Sequence, residues 1–185
     1  MNEELKVEFD EDDLKIIDTL NAEQWAGFDE IIDDVIHARP RVFFIDGPGG
    51  TEKTYFYRAL RAKTRSMGQI AIATATSGIA ASIMLGGRIA HSRFKIPIKI
   101  DDSTVCSFTK QSGTAELMCQ AALIIWDEVA MTKRQAVEAL DRTLRDIIGS
   151  PLPFGGKVIL FGGDFRQCFQ LCTVEQEPKS QMLLF

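Results

Sequence analysis

Four short, almost unbroken apolar runs punctuate the middle of the chain: "RVFFI" (41–45), "QIAIAT" (69–74), "ALIIWD" (122–127) and "KVILFGGD" (157–164). Strands buried on both faces read this way, whereas a strand with one wet face alternates apolar and polar residues. Helical periods lie around and between these runs. In "LNAEQWAGFDEIIDDVIHA", Trp25, Phe28, Ile31, Ile32, Val35 and Ile36 recur at three- and four-residue spacings, and Pro40 closes the segment. Phe56, Ala59 and Leu60 mark a second helical face. Ala136, Val137, Leu140, Leu144, Ile147 and Ile148 mark a third, over 133–148. Strands alternating with helices predict an α/β fold: one parallel sheet flanked by helices, with a helical segment before it. The longest irregular stretch is 85–113, rich in Gly, Ser, Lys and Arg.

Composition adjusts this picture in three ways. The chain has 185 residues, enough for one well-filled core. Its net charge of −5 is unevenly distributed: residues 1–34 carry −11 and residues 35–185 carry +6. The acidic residues 1–19 read as a partly disordered preface, and the mildly basic body is compatible with nucleic-acid contact. Solvated helix faces explain the same charges. Four cysteines (Cys106, Cys119, Cys168 and Cys172) form no C-x-x-C pair, and His37 and His91 are the only histidines. Free thiols in a reducing compartment fit better than a structural zinc site. No apolar run is long enough to span a membrane, and the acidic start has neither a signal-peptide nor a transit-peptide pattern.

The candidate chemistry sits at the ends of the apolar runs. "GPGGTEKT" joins a strand to a helix, and Gly47, Pro48, Gly49, Gly50 and Thr51 form a turn whose backbone N–H groups can cradle phosphate. Lys53 supplies a charge for the β- and γ-phosphates, and the Thr54 hydroxyl can hold Mg²⁺. About 75 residues later, "LIIWDEVA" brings Asp127 and Glu128 to a strand's carboxyl end, where open α/β sheets bind ligands. Asp127 can hold the metal, and Glu128 can orient and deprotonate an attacking water. In "ILFGGDFRQ", Gln167 has an amide suited to sensing a γ-phosphate, although a plain turn accounts for the same residues. Ser77, His91, Ser92, Arg93 and Lys95 lie in loops after a strand, with Phe94 as a candidate stacking platform for a base. Packing of Phe94 and Ile96 against the core is the competing reading.

With these motifs in this order, the chain resembles the Pif-one (petite integration frequency) DNA helicases of superfamily one, from about Leu20 to Leu171. "LNAEQ" looks like the family's adenine-reading element, which makes Gln24 the candidate base contact; Asn21 and Gln24 also read as a capping box. "GPGGTEKT" matches motif I, "ATATSGIAA" motif Ia, "IIWDEVAM" motif II and "GGDFRQ" motif III, while "GGRIAHSRFKIPI" resembles a further DNA-contacting block. The resemblance implies a RecA-like P-loop NTPase domain over 20–171. It also implies ATP and Mg²⁺ as cofactors, and 5′ to 3′ movement on single-stranded DNA with unwinding of forked duplexes. Roles in telomere maintenance, recombination and repair follow from it. So does an intracellular, nuclear location, with the mitochondrion as the alternative.

Three departures qualify that expectation. Glu52 stands where the family carries glycine. A carboxylate roughly 4 Å from a phosphate oxygen costs about 4 kcal/mol at an effective dielectric near 20, which predicts ATP binding weakened about tenfold to a thousandfold. Rotation into solvent or pairing with Lys53 lessens the cost, and a left-handed glycine conformation would strain the turn. Ile89 stands where the family usually has threonine. Beyond Leu171 the likeness falls away in "CTVEQEPKSQMLLF", so residues 172–185 read as a divergent tail with no second RecA-like domain after it. A truncated copy or a non-catalytic remnant that binds nucleic acid or a protein partner is the alternative to a working motor.

Overall fold

A computed structural model describes residues 11–47, 51–164 and 180–184. In chain order the elements are helices α1 (Glu11–Lys15) and α2 (Ala22–Ile36), strand β1 (Arg41–Asp46), helix α3 (Thr51–Ser66), strand β2 (Ile70–Ala75) and helix α4 (Gly78–Ile83). Next come β3 (Arg88–Ile89), α5 (Ala90–Arg93), α6 (Gly113–Gln120), β4 (Ala121–Asp127), α7 (Arg134–Ile148), β5 (Val158–Gly163) and β6 (Ser180–Leu184). The strands form one sheet in the order β3-β2-β4-β5-β1-β6, and every pair is parallel. All four apolar runs are strands, and the expected α/β sheet with flanking helices is the fold.

The two faces of the sheet explain why those runs are continuous. Phe43, Ile45, Ala71, Ala73, Leu123, Ile125, Val158 and Leu160 pack on one face with α2, α3 and α4. Ile72, Ile124, Trp126, Ile159 and Phe161 point to the other, against α5, α6 and α7. Alternate residues go to opposite faces of a strand, so a sheet covered on both sides needs apolar residues at every position. The second face is centred on Trp126, whose ring lies 5.5 Å from Phe94 and 6.2 Å from Phe161.

The helix ends follow local chemistry. Asn21 caps α2 by accepting from the Gln24 amide at 2.9 Å, and the Gln24 side-chain oxygen accepts from the Asn21 amide at 3.1 Å. This is the capping box that the sequence offered as a second role for Gln24. α7 ends on Gly149 in the left-handed conformation (φ 72°).

Of the acidic preface, residues 1–10 lie outside the described residues; within 11–19, α1 and a short 3-10 turn (Ile16–Thr19) lie along α3. Asp13 is buried and accepts from Arg58 Nε at 2.9 Å, while Ile16 and Ile17 pack on the core. A paired carboxylate and two isoleucines join this acidic segment to the core. In the stretch read as irregular, β3 adds a two-residue edge to β2 and α5 makes one helical turn.

Candidate active site

Lys53 and Asp127, candidates for phosphate and metal, converge where β1, β4 and β5 end. Strand β5 lies between β1 and β4, so the residues leaving those two strands face each other across Gly162 and Gly163. Lys53, in the first turns of α3, is buried and reaches back over this edge. Its ammonium donates to the carbonyl oxygens of Gly47 at 2.8 Å and Gly163 at 3.0 Å, joining the end of β1 to the end of β5. An ammonium needs such acceptors once it leaves water.

Asp127 ends β4 and is 8% exposed. Its Oδ1 accepts from the Tyr57 hydroxyl at 3.1 Å. Burial raises the carboxyl's pKa; the Glu128 amide, the charge of Lys53 and the Tyr57 hydroxyl act against that rise. Tyr57 is itself fully buried, and burial followed by the neighbouring carboxylate pushes its phenol well above the ordinary range. The Asp127 carboxylate is a hard-oxygen donor of the kind that suits Mg²⁺, an ion bound through one or two such groups that takes most of its remaining ligands from water and phosphate. Among the described residues no cluster of three or more His, Cys, Asp or Glu forms a self-sufficient metal cage. Thr54 is half-buried at the same end of α3.

Glu128 adopts the left-handed conformation (φ 54°, ψ 33°), which is rare for a residue with a Cβ and costs about 1 kcal/mol or more. The turn sends the chain from β4 into a short 3-10 segment (Val129–Met131). It also lets Glu128 Oε2 accept from the Ser77 amide at 3.1 Å. Ser77 in turn caps α4 through its hydroxyl, which accepts from the Ala80 amide at 3.2 Å. The adjacent Thr76 is held by its amide to the Asp127 carbonyl at 3.1 Å and by Trp126 Nε1 to its hydroxyl at 3.0 Å. The candidate water-activating carboxylate and the candidate DNA loop therefore share a hydrogen bond.

The remaining DNA candidates cluster on α5 and just after it. Ser92 and Lys95 are exposed, and His91 and Arg93 are half-buried. Phe94 is fully buried between the sheet and the second core, and Ile96 is 5% exposed. The core-packing reading is the one that fits, because a ring enclosed by Trp126 offers no open face for a base.

Glu52 is exposed in the first turn of α3, and its backbone is not among those with positive φ. The anticipated turn strain is therefore missing, and Lys53 is engaged by carbonyls rather than by Glu52. Pro48, Gly49, Gly50 and Gln167 lie outside the described residues, as does the side chain of Thr51. Tyr57 escaped the sequence reading. It lies one helical turn beyond Lys53, so the i, i+4 relation puts both on one face of α3, and that spacing was the available signal.

A parallel sheet whose carboxyl edge gathers a lysine from the start of a helix and a buried aspartate from a neighbouring strand defines a RecA-like, P-loop type of α/β domain. The PIF1-like helicase family model matches residues 19–184, and the chain belongs to that family. The match runs through β6, past Leu171, where the recognised motifs end. Over 138 residues the chain is 33% identical to the ATP-dependent DNA helicase PIF1 of Trypanosoma brucei brucei, covering 74% of this chain and 13% of that protein. It is 27% identical over 161 residues to the ATP-dependent DNA helicase RRM3 of Saccharomyces cerevisiae, covering 85% of this chain and 22% of that one. Among solved structures it resembles Bacteroides sp Pif1 in complex with ADP-AlF4, with 32% identity, a TM-score of 0.62, and coverage of 85% of this chain and 35% of that one. Bacteroides Pif1 bound to ssDNA is similar at 28% identity and a TM-score of 0.61, covering 85% of this chain and 34% of that one. The chain thus spans well under half the length of these relatives. No helix among the described residues is long and apolar enough to cross a membrane.

Proposed function

We propose that the chain is the ATP-binding part of an ATP-dependent DNA helicase, coupling ATP hydrolysis to 5′ to 3′ movement on single-stranded DNA and opening of forked duplexes. The observation that carries this reading is the meeting of Lys53 and Asp127 at one sheet edge, bridged by the Gly162-Gly163 end of β5. Lys53 and the 47–51 turn bind the triphosphate, with Lys53 exchanging carbonyl partners for phosphate oxygens. Thr54 and Asp127 would hold Mg²⁺, which when bound neutralises charge on the phosphates. Glu128 orients and deprotonates the attacking water, Gln167 senses the γ-phosphate, and Gln24 contacts the adenine. Ser77, His91, Ser92, Arg93 and Lys95 grip the DNA backbone; Phe94 supports them from below. The Glu128–Ser77 hydrogen bond gives DNA a direct route to the residue that handles water.

Relatives described as ATP-dependent DNA helicases, and a neighbour solved with ssDNA, support the substrate class. Telomere maintenance, recombination and repair in the nucleus are the roles that go with it, with a mitochondrial location as the alternative. A second reading, a non-catalytic binder of nucleic acid or a partner, is favoured by the exposed Glu52 carboxylate at the phosphate turn. ATP hydrolysis with and without a single-stranded oligonucleotide separates the two. Hydrolysis that DNA stimulates supports the motor reading, whereas DNA binding with no nucleotide turnover supports the binder.

A further inference from the structure

We infer that Tyr57 is a positioning residue for the metal-binding carboxylate, through a three-part nest that also requires glycine at position 162. The inference rests on the nucleotide-site reading above and adds to it a residue that no motif contains. Three observations carry it. Tyr57 is fully buried, and its hydroxyl donates to Asp127 Oδ1 at 3.1 Å. A Cβ built on Gly162 would lie 1.8 Å from the Tyr57 oxygen and 2.6 Å from Asp127 Oδ1. The nest therefore closes on a bare backbone, and any side chain at 162 would displace the hydroxyl, the carboxylate or both. Finally, Tyr57 and Lys53 lie one turn apart on α3, so a single helix carries both the phosphate-binding amine and the group that orients the aspartate.

The chemistry follows from the partner's charge. A carboxylate accepts only, and the phenol's hydrogen bond to Oδ1 restricts its rotation, which fixes the direction in which its remaining lone pairs can meet a cation. Partners behind a metal-binding carboxylate fix its orientation, and losing one typically weakens metal binding about tenfold or more. A phenol that served only to fill the core would influence metal-dependent and metal-independent binding alike.

The test is the affinity of the whole chain for a fluorescent ADP analogue, measured with Mg²⁺ and with EDTA, for wild type, Tyr57→Phe, Gly162→Ala and the double variant. Tyr57→Phe keeps the ring and should leave the metal-free affinity unchanged while shrinking the Mg²⁺-dependent gain by about tenfold. Gly162→Ala should shrink it similarly and shrink it further in the Tyr57→Phe background, because its Cβ also meets Asp127 Oδ1 at 2.6 Å and the ring's Cζ at 3.0 Å. An unchanged Mg²⁺ gain in Tyr57→Phe overturns the inference and leaves the nucleotide site standing. Wild type that binds without any Mg²⁺ gain overturns the metal role of Asp127, and the inference with it. Should Gly162→Ala fail to fold, the Tyr57→Phe pair alone decides.

Discussion

The two candidate functional regions of this domain are built differently. At the carboxyl edge of the sheet, Lys53, Tyr57, Asp127 and Gly163 are tied by hydrogen bonds between residues 70 and 110 positions apart in sequence, and Lys53, Tyr57 and Asp127 are all buried. In the block from Ser77 to Lys95, the candidate DNA-binding side chains sit at the start of α4 and on and just after the four-residue α5; Ser92 and Lys95 are exposed, while Ser77, His91 and Arg93 are half-buried. The first region is held by the same strands that form the core, so its geometry comes with the fold. The second is fixed from beneath by Phe94, Trp126 and Thr76, with Ser92 and Lys95 exposed above them. A site for phosphate and metal needs fixed distances; a sequence-tolerant grip on a backbone does not.

Phe94 is where that comparison can be broken most forcefully. If it is a support and not a stacking platform, Phe94→Ala should cost about 3–5 kcal/mol of stability, as other buried aromatic truncations do. Single-stranded DNA affinity of the folded fraction should change little. Denaturant unfolding and DNA titration at a temperature where the variant stays folded check both. A loss of about 1–3 kcal/mol in DNA affinity, with stability intact, would restore the stacking role.

On the nucleotide side, Glu52 sharpens the contrast. Its exposure raises the effective dielectric around it, which pulls the expected penalty toward the weak end of the range inferred from sequence. Glu52→Gly should tighten ATP binding by about tenfold, read from equilibrium titration, and the gap should narrow as salt is added. Equal affinities for the two forms would mean that the carboxylate never faces the phosphates.

The same difference decides what could be read from sequence. The four core strands lie within a residue or two of the apolar runs, since burial on both faces writes itself as continuous hydrophobicity. Lys53, Asp127 and Glu128 could be singled out because a strand followed by a glycine turn, or by two acids, is locally distinctive. The order of the strands leaves no such mark, and neither does β3, whose two residues are too few to show a period. In residues 11–19 charge dominates the composition, which hides the contacts that Asp13, Ile16 and Ile17 make with the core. Tyr57 and Gly162 are 105 positions apart, and only folding reveals that one fits the space the other leaves. Phe94 was ambiguous for a related reason: an aromatic beside basic residues looks alike whether it faces DNA or the core.

The central claim is that Lys53 and Asp127 serve one magnesium–triphosphate site. Its most direct test is the equilibrium binding of a fluorescent ATP analogue with Mg²⁺ to wild type and to Lys53→Ala. The account predicts saturable wild-type binding and a loss of at least about a hundredfold in the variant, as expected when a phosphate's charged, hydrogen-bonded partner is removed. Equal affinity of the two proteins would contradict it.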